Sequence, residues 1–328
     1  MINIRHASPR RCFLILVGVG LCAIGCQPID AQEVVRTTYT YKKVGDHAIR
    51  ADVYRKPGDS VRPAILFLHG GALITGNRRG INHVQAVKYL DAGYTIVSID
   101  YRLAPSTKLK SIIEDIEDAY RWVRTEGPTL FRIDPNRVAV VGHSAGGYLA
   151  LMSGVRFKPE PKAIVSFYGY GDIVGPWYSR PDPFYNRQPA VTKEAAAQAV
   201  GTDVISDDSG GTRGRFYLYT RQQGLWPKEV GGFDPDNEPE AFHPYCPIRH
   251  VTKNYPSTLL LHGDNDTDVP FELSVLMAKE LERHKVDHEF IAMPGMGHGF
   301  DNQMFNPIVA QTFDRVIAFL DKRLRATN

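Results

Sequence analysis

The chain reads as an α/β protein: a mainly parallel central sheet, helices on both faces, and one inserted segment that caps the domain. Three observations carry that reading. Short continuous apolar runs recur at residues 64–68, 94–99, 138–141, 163–167 and 258–261, as in strands buried on both faces. Helical patterns separate most of these runs, as parallel crossovers require. The alternation then stops from Gly171 to about His250, where proline, glycine and aromatic residues are frequent, and afterwards resumes. The 328 residues leave room for one large α/β domain or two small ones. The expected division is a targeting segment at 1–31 and a single domain at 32–328, with the insertion at about 172–250.

Residues 1–31 read as an export signal rather than as part of the fold. Arg5, Arg10 and Arg11 precede an apolar run at 13–24 that is too short and glycine-rich for a comfortable membrane span. Arg10-Arg11-Cys12-Phe13-Leu14 resembles the twin-arginine export pattern, with Pro9 where Ser or Thr is usual. Ala23-Ile-Gly-Cys26 resembles a bacterial lipobox. Processing there would lipidate Cys26 and anchor the mature chain to a membrane, whereas ordinary cleavage near Ala31 would release it. The expected location is thus periplasmic or secreted, with the lipoprotein as the anchored alternative. The three arginines account for the whole formal charge of +3, and the balanced remainder argues against a nucleic-acid or polyanion partner. Cys12, Cys22 and Cys26 lie in the same segment. Cys246 alone belongs to the body, so no intrachain disulfide forms there and the thiol reads as structural.

Residues 34–41 and 48–54 alternate apolar and polar around Gly45-Asp46, which predicts an antiparallel hairpin at a sheet edge. The buried strand 64–68 ends in His69-Gly70-Gly71-Ala72. A helix over 83–92, closed by Gly93, leads to the strand 94–99 and then to Asp100-Tyr-Arg-Leu-Ala-Pro105. Over 112–123, Ile112, Ile113, Ile116, Ala119, Tyr120 and Val123 share one helical face, with acids opposite. Asp134-Pro-Asn-Arg137 reads as the turn before the strand 138–141. Inside the insertion two helical pieces stand out, at 192–200 and 213–223. A helix near 271–285, a strand at 289–292 and a closing helix at about 306–325 finish the chain. The last of these has Ile308, Val309, Thr312, Phe313, Val316, Ile317 and Leu320 as its expected inward face.

The centre of the pattern is Val138-Ala-Val-Val-Gly-His-Ser-Ala-Gly-Gly147. A buried strand runs into a sharp turn that opens a helix, with Ser144 at the apex, which is the context that G-x-S-x-G requires. Gly142 and Gly146 lack the Cβ atoms that would collide as strand and helix close on each other. Three further loops follow strands, where such sheets place functional groups. His69-Gly-Gly-Ala72 can aim successive backbone N–H groups at one spot, or it is a plain glycine turn. His262-Gly-Asp-Asn-Asp-Thr-Asp-Val-Pro270 offers Asp264, Asp266 and Asp268. A calcium loop fails there, because Val269 and Val275 stand where glycine and glutamate are needed. Pro294-Gly-Met-Gly-His298-Gly-Phe300 presents a histidine between glycines. Serine is a poor nucleophile until a base takes its proton, neutral imidazole suits that task, and an acid fixes its tautomer. The order Ser144, Asp, His298 fits that set.

With these motifs assembled, the chain resembles the α/β-hydrolase esterase/lipase group, close to the hormone-sensitive-lipase-like and BD-FAE-like carboxylesterases. The resemblance rests on His69-Gly-Gly71, residues 100–105, 134–138 and 142–147, His262 to Pro270, and Gly297-His-Gly-Phe300, and it spans 63–300. It implies the α/β-hydrolase fold, Ser144 as nucleophile, Asp266 as acid with Asp268 as the fallback, and His298 as base. It also implies oxyanion N–H groups from Gly71, Ala72 and Ala145. Ala72 replaces a frequent third glycine, and His143 a frequent Asp. No metal or organic cofactor is implied. The expected activity is hydrolysis of carboxylic esters, small-molecule or carbohydrate-borne. Two alternatives are a serine peptidase of prolyl-oligopeptidase type and a non-catalytic binding protein on the same fold. The first usually carries a large propeller ahead of the hydrolase, and the second would show a damaged triad. The insertion aromatics Trp177, Tyr178, Phe184, Tyr185, Phe216, Tyr217, Tyr219 and Trp226 are expected mostly to pack it against the body, with one or two reaching the site.

Overall fold

The computed structural model describes residues 34–325, so the export-signal reading of 1–31 lies outside the described residues. β1 (Val35–Val44) and β2 (His47–Arg55) form the expected hairpin, turning at Gly45 with φ +57°. β3 (Arg62–Leu68) follows. α1 (His83–Asp91) starts at Asn82, whose side chain accepts the N–H of Val84 and Gln85. Then come β4 (Thr95–Ile99), α2 (Leu109–Thr125), the short α3 (Gly127–Phe131), β5 (Ile133–His143), α4 (Ala145–Arg156) and β6 (Ala163–Phe167). The insertion carries α5 (Pro176–Ser179), α6 (Lys193–Val200) and α7 (Gly214–Gln223), with irregular turns between them. β7 (Ser257–Gly263), α8 (Phe271–Arg283), β8 (His288–Met293) and α9 (Pro307–Leu324) close the described chain.

Among the described residues the sheet has eight strands in the order β1-β2-β4-β3-β5-β6-β7-β8. Only the β1–β2 and β2–β4 pairings are antiparallel. The period-two geometry of the buried strands divides the core. Leu66, Leu68, Val140 and Ile164 face α2, α4 and α8, while Ile65, Phe67, Val141 and Val165 face α1 and α9. The sheet is therefore covered on both sides, which is why its strands read as unbroken apolar runs. It has the α/β-hydrolase fold.

Three local expectations change. Residues 134–137 are a bulge within β5 rather than a turn before it: Arg62 pairs with Ile133 and Ala64 with Val138, leaving four residues opposite one. The Asp134 side chain holds that bulge by accepting from Asn136 N at 2.9 Å and Arg137 Nε at 2.8 Å. Ile308 is exposed rather than inward: the buried face of α9 begins at Val309 and continues through Phe313, Val316, Phe319 and Leu320, and Ile308 points about 100° around the helix from Val309. α3 has too few residues to show a period and was not expected. Among the described residues Cys246 is buried and has no disulfide partner, and burial pushes its thiol up to about 12.

The insertion grips the loops that leave β3 and β4. Leu103 N donates to Ile205 O at 2.9 Å, Asp208 N to Gly76 O at 3.1 Å, and Arg213 Nη1 to Ala104 O at 2.7 Å. Arg78, itself buried between Asp52 and Asp100, also reaches Asp207. Among the described residues no helix is long and apolar enough to cross a membrane.

Candidate active site

At the end of β5 the chain must reverse into α4 within one residue. Ser144 takes that strain, with φ +56° and ψ −124°, and its N–H donates to Phe167 O at 2.9 Å. The turn closes only because its flanks lack side chains. A Cβ on Gly142 would lie 2.2 Å from Gly146 O, and one on Gly146 would lie 2.0 Å from Leu68 O. The Ser144 hydroxyl thus stands above the carboxyl ends of β3 and β5, at the N-terminus of α4.

The loops after β7 and β8 meet this hydroxyl. His298 Nε2 lies 3.0 Å from Ser144 Oγ, and His298 Nδ1 lies 2.7 Å from Asp266 Oδ2. Asp266 Oδ1 accepts the N–H of Asp268 at 2.8 Å and of Val269 at 3.0 Å, which fixes the carboxylate plane. Asp264 ties the two loops together by accepting Gly295 N at 2.6 Å. Asp268 does not reach Nδ1. Its Oδ2 lies 3.4 Å from His298 Nε2, on the serine side of the ring. The acid position implied for Asp266 and the fallback Asp268 therefore fall on opposite ring nitrogens.

Burial alone would raise the Asp266 carboxyl, but hydrogen bonds from His262 and His298, and the His298 charge, hold it well below the usual carboxylate range. Burial alone would lower His298. The hydrogen bond to Asp266 and the charges of Asp268, Asp266 and Asp301 outweigh it, so the imidazole is raised above its ordinary value. Behind this ring lies Tyr168, 4.5 Å away between centroids, whose hydroxyl donates to Asp301. Asp301 Oδ2 in turn accepts Gln85 Nε2 at 2.8 Å.

The loop after β3 forms the opposite wall. A Cβ on Gly70 would meet the Ser144 Cβ at 3.2 Å, so this loop runs directly against the Ser144 turn. Among the described residues the N–H groups of Gly71, Ala72 and Ala145 donate no hydrogen bond. Ala72 and Leu73 both have positive φ. That conformation is braced from two sides. His69 stacks on Tyr101 at 4.2 Å and its Nδ1 donates to Gly70 O at 2.7 Å, while buried Trp226 donates Nε1–H to Ala72 O at 2.9 Å. Burial lowers His69 to about 4, so it stays neutral where His298 titrates. Gly71, Ala72, Ser144, Tyr217, Asp268 and His298 line one cavity of about 450 Å³.

The chain matches the BD-FAE family over residues 51–281. It belongs to the BD-FAE family. This BD-FAE chain is 29% identical over 265 residues to Esterase LipC of Mycobacterium tuberculosis, across 78% of itself and 58% of LipC. It is 30% identical over 324 residues to the non-reducing polyketide synthase pkbA of Emericella nidulans, across 80% of itself and 13% of the synthase. The chain thus spans about half of the first relative and a small fraction of the second. Among solved structures, an alpha/beta hydrolase superfamily protein from Enterococcus faecalis superposes with a TM-score of 0.68 at 22% identity, covering 88% of this chain and 99% of that one. The carboxylesterase EstE1, cloned from a metagenomic library, gives 0.63 at 22% identity, covering 90% of each chain. These likenesses show the α/β-hydrolase fold of this BD-FAE member.

The sequence reading expects one or two insertion aromatics at the site without saying which, and it does not foresee Arg221 or the contact of Trp226 with Ala72. Trp226 and Tyr178 stack at 4.1 Å as packing residues, as expected for most insertion aromatics. Tyr217 and Tyr185 instead reach the acid loop, where both donate to Asp268. The one available signal was the spacing of Tyr217 and Arg221, four apart on a single helix and so on one face.

Proposed function

We propose that this protein is a serine carboxylesterase that works through an acyl-enzyme. One observation carries the reading: a single imidazole, His298, bridges the Ser144 hydroxyl and the buried Asp266 carboxylate. Ser144 Oγ attacks the ester carbonyl carbon as its proton passes to His298 Nε2. The N–H groups of Gly71, Ala72 and Ala145 receive the oxyanion, each such donor being worth about 3–4 kcal/mol of barrier. Collapse breaks the C–O bond, and the alcohol leaves with the proton from Nε2. Water, deprotonated by His298, then releases the acid and restores Ser144. Asp266 holds the tautomer and balances the imidazolium. The similarity to the esterase LipC runs in the same direction. The insertion acts as a cap over the cavity, and acyl groups carried on carbohydrate suit the export read from residues 1–31.

The test is hydrolysis of p-nitrophenyl acetate, butyrate and octanoate beside an Ala-Pro-p-nitroanilide, with wild type and Ser144→Ala. Ester turnover that falls by about 10³-fold or more in the variant supports the proposal. Anilide cleavage without ester turnover would replace it with a peptidase. Absence of Ser144-dependent turnover, together with no fluorophosphonate labelling, would replace it with a binding protein.

A further inference from the structure

The acyl-transfer steps leave one carboxylate in the cavity without a task. Asp268 Oδ1 is saturated: it accepts from Tyr217 Oη at 2.5 Å, Arg221 Nη1 at 2.5 Å and Tyr185 Oη at 2.9 Å. All three donors belong to the insertion, and Arg221 is held in place by Asp182 and by the face of Tyr185 at 4.6 Å. Oδ2 differs. Among the described residues it accepts no hydrogen bond, and it lies 3.4 Å from His298 Nε2 on the wall of the Ser144 cavity. The carboxylate is therefore locked by one oxygen while the other stays bare beside the nitrogen that exchanges protons with the substrate. It is 17% exposed, so a bound substrate strips water from it. A carboxylate oxygen desolvated without a donor is costly, whereas one that meets a donor forms a strong, charge-assisted hydrogen bond.

In the reaction proposed above, Nε2 gives its proton to the oxygen of the departing alcohol. The carbon next to that oxygen then passes beside Asp268 Oδ2. A hydroxyl on that carbon's neighbour supplies the missing donor, and an alkyl group does not. We infer that Asp268 is a specificity-determining residue for the leaving group: its Oδ2 accepts a hydrogen bond from a hydroxyl vicinal to the ester oxygen, so that esters of diols and polyols are preferred over esters of simple alkanols. The inference rests on the esterase reading and deepens it. Sites built to pair with a substrate hydroxyl reject analogues without it far more strongly than apolar pockets reject a missing methylene.

The experiment compares 2-hydroxyethyl acetate with 2-methoxyethyl acetate, which keeps the second oxygen and loses its proton. Each kcat/KM is divided by the ester's own alkaline hydrolysis rate, in wild type and in Asp268→Asn. Wild type is expected to favour the hydroxy ester by about tenfold or more. In the variant the three donors around Oδ1 hold the amide carbonyl and turn its NH₂ to the cavity, so the ratio falls to about one. General damage to the site lowers both rates and leaves the ratio alone. A wild-type ratio near one, or a ratio that survives in folded Asp268→Asn, overturns the inference while leaving the esterase reading intact. The wild-type ratio is decisive even if the variant does not fold. Turnover of neither ester beside turnover of the p-nitrophenyl esters overturns this inference alone, and absence of both overturns the esterase reading with it.

Discussion

His298 meets a carboxylate at each ring nitrogen, Asp266 at Nδ1 and Asp268 at Nε2, with Asp301 behind Tyr168 as a third negative group. In the proposed mechanism His298 acts as base only when unprotonated. A raised pKa keeps it protonated to higher pH, so kcat/KM should fall as pH drops through a value above the ordinary ~6.5. A pH profile of p-nitrophenyl acetate hydrolysis reads this directly, and an acid limb below 6 would contradict the electrostatics described. Asp266→Asn should lower kcat by about 10³- to 10⁴-fold, because it removes the acceptor that fixes the tautomer, while leaving the fold intact by circular dichroism. Ser144 and His298 were legible because each lies in a short motif at a strand end, whereas the loop after β7 offered three aspartates and only the family resemblance singled out Asp266. The duty of Asp268 was not legible. Its partners Tyr185, Tyr217 and Arg221 stand 47 or more positions away, on a segment whose path no periodicity fixes.

At the level of elements, the strands and long helices were readable from apolar spacing alone, and most boundaries fall within a few residues of expectation. The exceptions share a cause: tertiary or very local geometry replaces periodicity. The β5 bulge is held by one Asp side chain, and α3 is a single turn. The insertion was legible as a break in rhythm and as two helices, but its placement depends on buried polar contacts. Arg221, almost wholly enclosed, is the strongest of these. Arg221→Leu would strand Asp182 and Asp268 without their cation. Removing one partner of a buried pair costs about 3 kcal/mol or more, which should lower Tm by several degrees. An unchanged Tm would mean that the insertion is held by its aromatic packing alone.

For the whole molecule, the strand order places β3, β5, β7 and β8 so that the loops leaving their carboxyl ends converge on one point. Parallel topology, inferred from strand–helix alternation, is thus what made the site predictable before any contact was known. The export reading of residues 1–31 is tested by expressing the full chain in a bacterial host and measuring the mass of the purified N-terminus. A diacylglyceryl-modified Cys26 at the new end supports the anchored lipoprotein, an end near Ala31 supports free export, and an intact Met1 on protein from the periplasm-free fraction opposes both. Of the contacts that join the insertion to the body, one touches the candidate oxyanion loop. Trp226, from the insertion, supports the carbonyl of Ala72 in the loop after β3. The insertion is consequently not an interchangeable module. A chimera whose grafted insertion carries no tryptophan at this place would lose the indole under Ala72, so that catalytic power and substrate range would have to be transplanted together.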